Sequence, residues 1–186
     1  MFGNRKRQPV SEYEGLRQRV IDGDRSVDLT ALRFAYMESP QYRPYEPEIL
    51  ARDAALAVEK GNLRKALTLA NRILETEITN GWAHVVAAIC HRELDHPLQA
   101  DFHRFLWMGL YDSICQSGDG RSPETALTVI TIEEEYFILD ASELKFVKRK
   151  LVSDGEKYFD VMDVQGPEWD QVQECYFDVS LFYRKY

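Results

Sequence analysis

A spacing of 34 residues constrains the fold of this chain more than any other feature. Residues 61–66 read as a tight turn that leads into a helix and ends on alanine, and residues 95–100 repeat that arrangement 34 positions later. Small residues at a fixed position let paired helices approach closely, and a period of this length is typical of stacked helix pairs. We therefore predict that Ala66 and Ala100 lie buried at equivalent helix crossings.

Over residues 48–115 the chain resembles the tetratricopeptide repeat, a resemblance that implies helical hairpins with a groove along one side. Two further helices are predicted before it. Ser11 and Glu14 form a capping box at the start of a helix that runs to about residue 21, and Asp28 caps a helix over residues 28–38. Residues 1–10 are predicted to be a flexible arm, which leaves residues 11–120 as the helical region.

The pattern changes after residue 120 to short runs that are typical of strands. Residues 127–132 are largely β-branched, and residues 146–152 and 158–164 flank Asp154 and Gly155, a strong hairpin signal. A fourth strand is predicted over residues 175–179 and a short helix over residues 133–141. The predicted fold is therefore α+β, with helical hairpins packed against a small antiparallel β-sheet in residues 121–186. Because four strands can bury one face against the helices, we predict one fused globular body.

Charge and composition exclude some classes of function. The net charge of -8 repels a phosphate backbone, so nucleic acid is not expected as a ligand, whereas a basic protein or peptide is attracted. No apolar run is long enough to cross a membrane. The basic start of the chain lacks the apolar stretch of a signal peptide, and the three cysteines form no closely spaced pair. These features predict a cytoplasmic protein with reduced thiols.

A second resemblance comes from the middle of the chain. Residues 109–114, the loop 117–126, Glu134-Glu135-Tyr136 and residues 158–162 together resemble a bacterial domain family of unknown function that pairs short helical repeats with a small β module. The resemblance covers residues 28–179, and His84 and His103 fall where histidines of that family are expected. It implies a fold and no activity.

The four histidines, at positions 84, 91, 96 and 103, were considered as metal ligands. His84 and His91 are seven residues apart, whereas a zinc site favours closer spacing such as i and i+4, with a carboxylate in reach. We therefore predict no metal site and no cofactor.

The loop over residues 117–125 has two interpretations. Its glycines permit unusual backbone angles, and its amides and hydroxyls suit an anion, although the lysine of a P-loop is missing. The alternative is a connector in which Gly118 ends the preceding helix as a left-handed cap, while Asp119, Ser122 and Thr125 bond to the backbone. The connector interpretation is favoured, and the loop stays a candidate site.

The remaining candidates are acidic and aromatic. Glu133, Glu134 and Glu135 are placed to stabilise a helix N-terminus through its dipole. Tyr42 and Tyr45 lie in a proline-rich connector and are candidate interface residues. If the chain has a polar site at the junction of helices and sheet, we expect it to be built from His84, His103, Asp112, Ser117, Asp119, Ser122, Glu124, Glu135 and Tyr136.

The sequence carries none of the standard catalytic patterns that were sought, namely a nucleophile elbow, HExxH and CxxC. This favours a function other than catalysis. The predicted function is a protein-interaction module of the bacterial cytoplasm that binds a peptide or protein through a helical-repeat groove, as an adaptor or an immunity-type inhibitor. The alternative is a small hydrolase or ligand-binding protein with its polar site at the helix–sheet junction.

Overall fold

The computed structural model describes residues 11–45 and 49–183, so the predicted arm over residues 1–10 lies outside the described residues. Helices dominate the first two thirds of the chain and strands the last third, which confirms the α+β class. The helices are α1 (Glu12–Ile21), α2 (Leu29–Met37), α3 (Ile49–Glu59), α4 (Leu63–Thr76), α5 (Gly81–Glu93), α6 (Pro97–Cys115), α7 (Ile132–Ala141) and α8 (Ser180–Tyr183). The strands are β1 (Leu127–Thr128), β2 (Lys145–Ser153), β3 (Tyr158–Gln165) and β4 (Gln173–Asp178).

Helices α1 and α2 start where the sequence predicts side-chain caps. The Ser11 hydroxyl accepts a hydrogen bond from the Glu14 amide at 3.2 Å, and the Asp28 carboxylate accepts one from the Ala31 amide at 3.0 Å. Asn80 serves α5 in the same way, with its side chain 2.8 Å from the Ala83 amide. Each cap satisfies a backbone donor that the first turn of a helix leaves free, so the start points of these helices are fixed locally.

Helices α3, α4, α5 and α6 pack against one another in chain order, with small residues where they meet. Ala54, Ala66 and Ala87 are at most 1% exposed, so the helices approach closely at these positions. The predicted burial of Ala66 is confirmed, but Ala100 is only half-buried. The difference arises because the first turn of α6 projects into solvent, as the 80% exposure of Leu98 shows.

The four strands form one sheet in the order β1, β4, β3, β2. Neighbours β2 and β3 are antiparallel, as are β3 and β4, and Gly155 takes a φ of 98° in the predicted hairpin turn. Strand β1 instead runs parallel to β4, with Leu127 opposite Phe177. The sheet is therefore mixed rather than wholly antiparallel, because β1 enters from α6 at the edge beyond β4.

Strand β2 forms the opposite edge of the sheet, and β3 is the one described strand that it pairs with. All nine of its residues are exposed, and the strand combines four basic side chains with Phe146, Val147, Leu151 and Val152. The basic residues are Lys145, Lys148, Arg149 and Lys150. Positive charge on an exposed edge opposes pairing with another strand.

Helices and sheet share one hydrophobic core. Leu32 of α2, Leu110 of α6, Ile138 of α7 and Phe177 of β4 belong to the same buried cluster. Helix α7 links the two parts, since it contacts both α5 and β2. An added Cβ at Gly81 would lie 2.6 Å from the ring of Phe137, so α5 and α7 touch without room for a side chain.

Candidate functional site

The structure separates the residues of the predicted junction site. His84 and His103 meet between α5 and α6, whereas Ser117, Asp119, Ser122 and Glu124 lie in the loop that follows α6. The other three candidates lie on α6 and α7. Asp112 is exposed on α6, whereas Glu135 is fully buried on α7. Tyr136, also on α7, is half-buried against Phe146. The structure therefore divides the nine candidates among a histidine pair, the loop after α6 and three separate positions on α6 and α7.

The loop after α6 uses its polar groups on itself and its neighbours. The Ser117 hydroxyl donates to the Ile114 carbonyl at 2.6 Å and accepts from the Thr128 amide at 2.8 Å. The Asp119 carboxylate accepts from the Thr125 hydroxyl at 2.6 Å and from the Arg121 amide at 3.1 Å. These two bonds lower the pKa of Asp119. The geometry is that of a connector that leads α6 into the sheet.

The two glycines of this loop have roles that differ from the predicted helix cap. Helix α6 is capped by Gln116 in a right-handed conformation, so Gly118 is not a left-handed cap. An added Cβ at Gly118 would lie 2.2 Å from the Thr125 carbonyl oxygen, so glycine is needed there for close approach. Gly120 is the residue with a left-handed φ, at 69°, and its amide donates to Thr125.

Glu134 lies in a buried ion pair that holds four elements together. Its carboxylate accepts two bonds from the Arg33 guanidinium, at 2.8 and 2.7 Å, and a third from the Ile130 amide at 2.8 Å. The same guanidinium also donates to the Ser113 hydroxyl at 2.9 Å and the Thr128 carbonyl at 3.2 Å. Helices α2, α6 and α7 and strand β1 are thereby joined around one charge pair.

Glu135, the next residue, is buried without such support. Its carboxyl group pairs with that of Asp160, no other described group donates a hydrogen bond to its oxygens, and the nearest guanidinium nitrogen, on Arg149, lies 3.8 Å away. That nitrogen is also 3.5 Å from the Asp160 carboxylate. Burial, reinforced by the charge of Asp160, raises the pKa of Glu135 well above its ordinary value, and burial also raises the pKa of Asp160. Both shifts favour the protonated form of a carboxyl group, and the shift is the stronger for Glu135.

The paired histidines are linked by short contacts. His84 Nδ1 lies 2.8 Å from His103 Nδ1, and His84 Nε2 lies 2.9 Å from the Ile78 carbonyl oxygen. Burial lowers the pKa of His84 to about 3 and that of His103 to about 4, with a smaller contribution from the neighbouring histidine in each case. Both imidazoles are therefore neutral at physiological pH. The ring of His91 stacks on His103 with centroids 5.5 Å apart.

Two cavities lie side by side along the seam between α1 and α4. One has a volume of about 440 Å³ and the other of about 380 Å³, and both are lined by Arg17 and Glu75. The Arg17 guanidinium donates to the Glu75 carbonyl at 3.0 Å and so bridges the two helices between the cavities. We call the two cavities together the α1–α4 groove. Its larger cavity includes Tyr13, Tyr36, Arg43 and Glu77, and its smaller one includes Leu74, His84, Phe102 and His103.

The sequence contained no signal for this groove. Arg17 and Glu75 are 58 residues apart, and the groove depends on how α1 lies across α4 rather than on a pattern within either helix. Arg33, Arg149 and Asp160 were likewise not among the predicted residues. His84 and His103 are the groove residues that the sequence predicts for a site, but it predicts them at the helix–sheet junction and not between α5 and α6.

The two candidate interface tyrosines have different surroundings. Tyr42 is 2% exposed, its hydroxyl donates to the Ile130 carbonyl, and its ring packs edge-on against Tyr36. It therefore belongs to the core, which is a correction to the predicted interface role. Tyr45 is 46% exposed and rests against Phe182 with centroids 5.7 Å apart.

The described residues carry no metal cluster, no disulfide and no membrane-spanning helix. Within residues 11–45 and 49–183, no three His, Cys, Asp or Glu side chains are grouped so as to hold a metal ion. Cys90, Cys115 and Cys175 are free. Among the described helices, none is long and apolar enough to cross a membrane. The cytoplasmic location stays a prediction.

Comparison with known proteins gives one match. Residues 6–186 match a family described as "Domain of unknown function (DUF4919)". The match confirms the resemblance to a domain family of unknown function, over a longer stretch than predicted, while the tetratricopeptide-like interpretation and the bacterial source stay predictions. No curated protein and no solved structure matches the chain significantly.

Proposed function

The chain belongs to the DUF4919 family of domains of unknown function, and from that premise we propose that it is a binding module without catalytic activity. The ligand is a peptide, or an extended segment of a partner protein, held in the α1–α4 groove. The observation that carries the proposal is the pair of adjoining cavities of about 440 and 380 Å³ that share Arg17 and Glu75. Concave sites lined by apolar groups and a few convergent polar groups are the usual form of binding sites.

Support also comes from the helical layer beneath the groove. Helices α3 to α6 pack in chain order around small residues, as in a tetratricopeptide-like stack, and such stacks present a concave binding surface. The larger cavity is lined by three glutamates and two arginines, and the whole chain carries a net charge of -8. Both features favour a basic peptide, because complementary charge speeds encounter and excludes acidic competitors.

The alternative function, a small hydrolase at the helix–sheet junction, has one observation in its favour. Glu135 and Asp160 form a buried carboxyl pair with raised pKa values, an arrangement that enzymes use for proton transfer. Glu135 is 0% exposed, however, so a substrate has no route to its carboxyl group in this conformation. The groove therefore supports the leading proposal better than the junction supports this alternative.

The proposal is tested by selecting peptides from a random library displayed on phage and measuring their affinity for groove variants. Asn71→Trp places a large ring in the smaller cavity, which Asn71 lines. Arg72→Trp is the matched control, since Arg72 is the next residue of α4 and is also exposed. We expect Asn71→Trp to weaken binding by at least about tenfold, which corresponds to about 1.4 kcal/mol, and Arg72→Trp to leave it unchanged. Selected peptides that bind Asn71→Trp as tightly as the parent, or a library that yields no binder, would overturn the proposal.

A further inference from the structure

The geometry points to a specific recognition element in the groove: the Nε2 nitrogen of His103 accepts a hydrogen bond from the ammonium group of a lysine side chain on the bound peptide. This inference rests on the proposed function and names the chemistry of its ligand. It follows from two short contacts that fix the tautomers of two neutral histidines, and from the lining of the cavity that contains them.

The first step is the tautomer of His84. Its Nε2 lies 2.9 Å from the Ile78 carbonyl oxygen, which can only accept a hydrogen bond. Nε2 therefore carries the proton. His84 is 1% exposed and neutral, so its other ring nitrogen, Nδ1, has a lone pair and acts as an acceptor.

The second step derives the tautomer of His103 from that of His84. The His103 Nδ1 nitrogen lies 2.8 Å from the His84 Nδ1 nitrogen. Because His84 Nδ1 is the acceptor of this hydrogen bond, His103 Nδ1 must carry the proton and donate it. Because His103 is also neutral, its Nε2 is left unprotonated. This nitrogen makes no hydrogen bond within the described part of the chain, and it is not sealed in the interior, since His103 is half-buried and forms part of the cavity wall.

The third step is the match between cavity and ligand. Val20, Leu74 and Leu106 line the smaller cavity with aliphatic groups, and Glu75 lies at its boundary with the larger one. A lysine side chain has four methylene groups and three N–H donors at its tip. The stem fits the aliphatic wall, while the ammonium donates to His103 Nε2; the two charged residues that line this cavity, Arg17 and Glu75, have opposite signs.

The first measurement requires no variant. A long-range ¹H–¹⁵N spectrum of the ¹⁵N-labelled protein at neutral pH reports which ring nitrogen of each histidine carries the proton. We expect the Nε2–H form for His84 and the Nδ1–H form for His103. A His103 signal with the proton on Nε2 would overturn the inference.

The second measurement titrates two small probes into the same sample. N-acetyl-lysine methylamide carries the ammonium group, and N-acetyl-norleucine methylamide has the same stem without it. We expect the lysine probe to bind at least about tenfold more tightly and to shift the His103 Nε2 resonance. Equal affinities, or a lysine probe that does not bind, would contradict the inference.

Two variants separate recognition from folding. His103→Phe keeps an aromatic ring but removes the acceptor, so the preference for lysine over norleucine should fall to about onefold while norleucine binding persists. His96→Phe is the matched control, because His96 is exposed and does not line the cavity, and it should keep the full preference. Library peptides that occupy the groove without any preference for lysine would overturn this inference and leave the proposed function standing. A library that yields no groove binder would contradict both this inference and the proposed function.

Discussion

Glu134 and Glu135 are neighbours in sequence and both are buried, yet their surroundings on the two sides of α7 are opposite. On the side that faces α2, Glu134 accepts three hydrogen bonds and forms a bidentate pair with Arg33. On the side that faces the sheet, Glu135 pairs with the Asp160 carboxyl group and shares one guanidinium with it at distances above 3.4 Å. Successive residues of one helix are therefore a fully hydrogen-bonded carboxylate and a buried carboxyl group that no N–H donor supports.

The comparison shows that burial by itself does not reveal what a charged group contributes. A buried charge with full hydrogen bonding fixes how the surrounding elements dock, whereas a buried carboxyl group without donors is retained at a cost to stability. Natural proteins keep such costs where another requirement outweighs them. The two sides of α7 can be told apart by their response to mutation and to pH.

The largest expected effect on stability comes from breaking the ion pair between Arg33 and Glu134. Arg33→Met and Glu134→Gln should each reduce the free energy of unfolding by about 3–5 kcal/mol, because each leaves a buried partner without its counter-charge or hydrogen bonds. Urea unfolding at neutral pH measures the loss. The exposed substitution Glu59→Gln is the control and should stay within about 0.5 kcal/mol of the parent.

The double variant Arg33→Met, Glu134→Leu sharpens this result. Replacing both charges with apolar side chains of similar size removes the unpaired charge and should restore part of the stability that either single variant loses, while the Ile130 amide still lacks its acceptor. Single losses below about 1 kcal/mol would mean that the ion pair does not fix the docking of α2 on α7.

The second expected effect is a gain in stability when the carboxyl group of Glu135 is replaced. Burial raises the pKa of Glu135 above its unfolded value of about 4.5, so the folded state binds more protons than the unfolded state above that pH. The contribution of Glu135 to stability is therefore fully present below about pH 4.5 and is lost as the pH rises. Glu135→Gln removes this dependence, and its amide donates to Asp160.

We accordingly expect Glu135→Gln to raise the free energy of unfolding by about 1–3 kcal/mol at pH 8, with the gain vanishing toward pH 4.5. The measurement is urea unfolding of both proteins across that range. A loss of stability at pH 8 would show that Glu135 is ionised and well supported, which would remove the contrast with Glu134.

The smallest expected effect concerns the guanidinium that the two carboxyl groups share. Arg149→Met should raise the pKa of both groups further and lower stability by about 1 kcal/mol at pH 8, with little change at pH 4.5. The figure is small because Arg149 is 38% exposed and solvent screens its charge. The control is Lys148→Met, which removes a surface pair with Asp163 and should show no such pH dependence. A similar pH profile for both variants would mean that Arg149 does not act on the buried pair.

Local features of the fold could be predicted from sequence because short-range geometry encodes them. Ser11 and Asp28 cap their helices, Gly155 turns the hairpin, and Ala66 lies at a close helix contact, each for a reason visible within a few residues. The parallel pairing of β1 was missed because the choice of edge depends on where α6 delivers the chain, and a strand of two residues carries too little pattern to decide it.

The sites could be predicted only in part, for the same reason. Arg33 and Glu134 are 101 residues apart, and no spacing in the sequence joins them. The three consecutive glutamates of α7 were interpreted together as partners of the helix dipole, but successive helical residues are rotated by about 100°, so they cannot share one environment. The rotation of about 100° per residue predicts different surroundings for Glu134 and Glu135. It does not predict which partners they contact.

The exposed edge strand β2 has a consequence for how the molecule behaves in concentrated solution. Two copies that met edge to edge in antiparallel register would set the cations at positions 148–150 against one another, so electrostatic repulsion keeps neighbouring molecules from extending the sheet. Salt weakens that repulsion, since the Debye length falls to about 10 Å at 0.1 M ionic strength. Edge-to-edge pairing of two copies through β2 should therefore be least favoured in dilute buffer and become more favoured as salt is added.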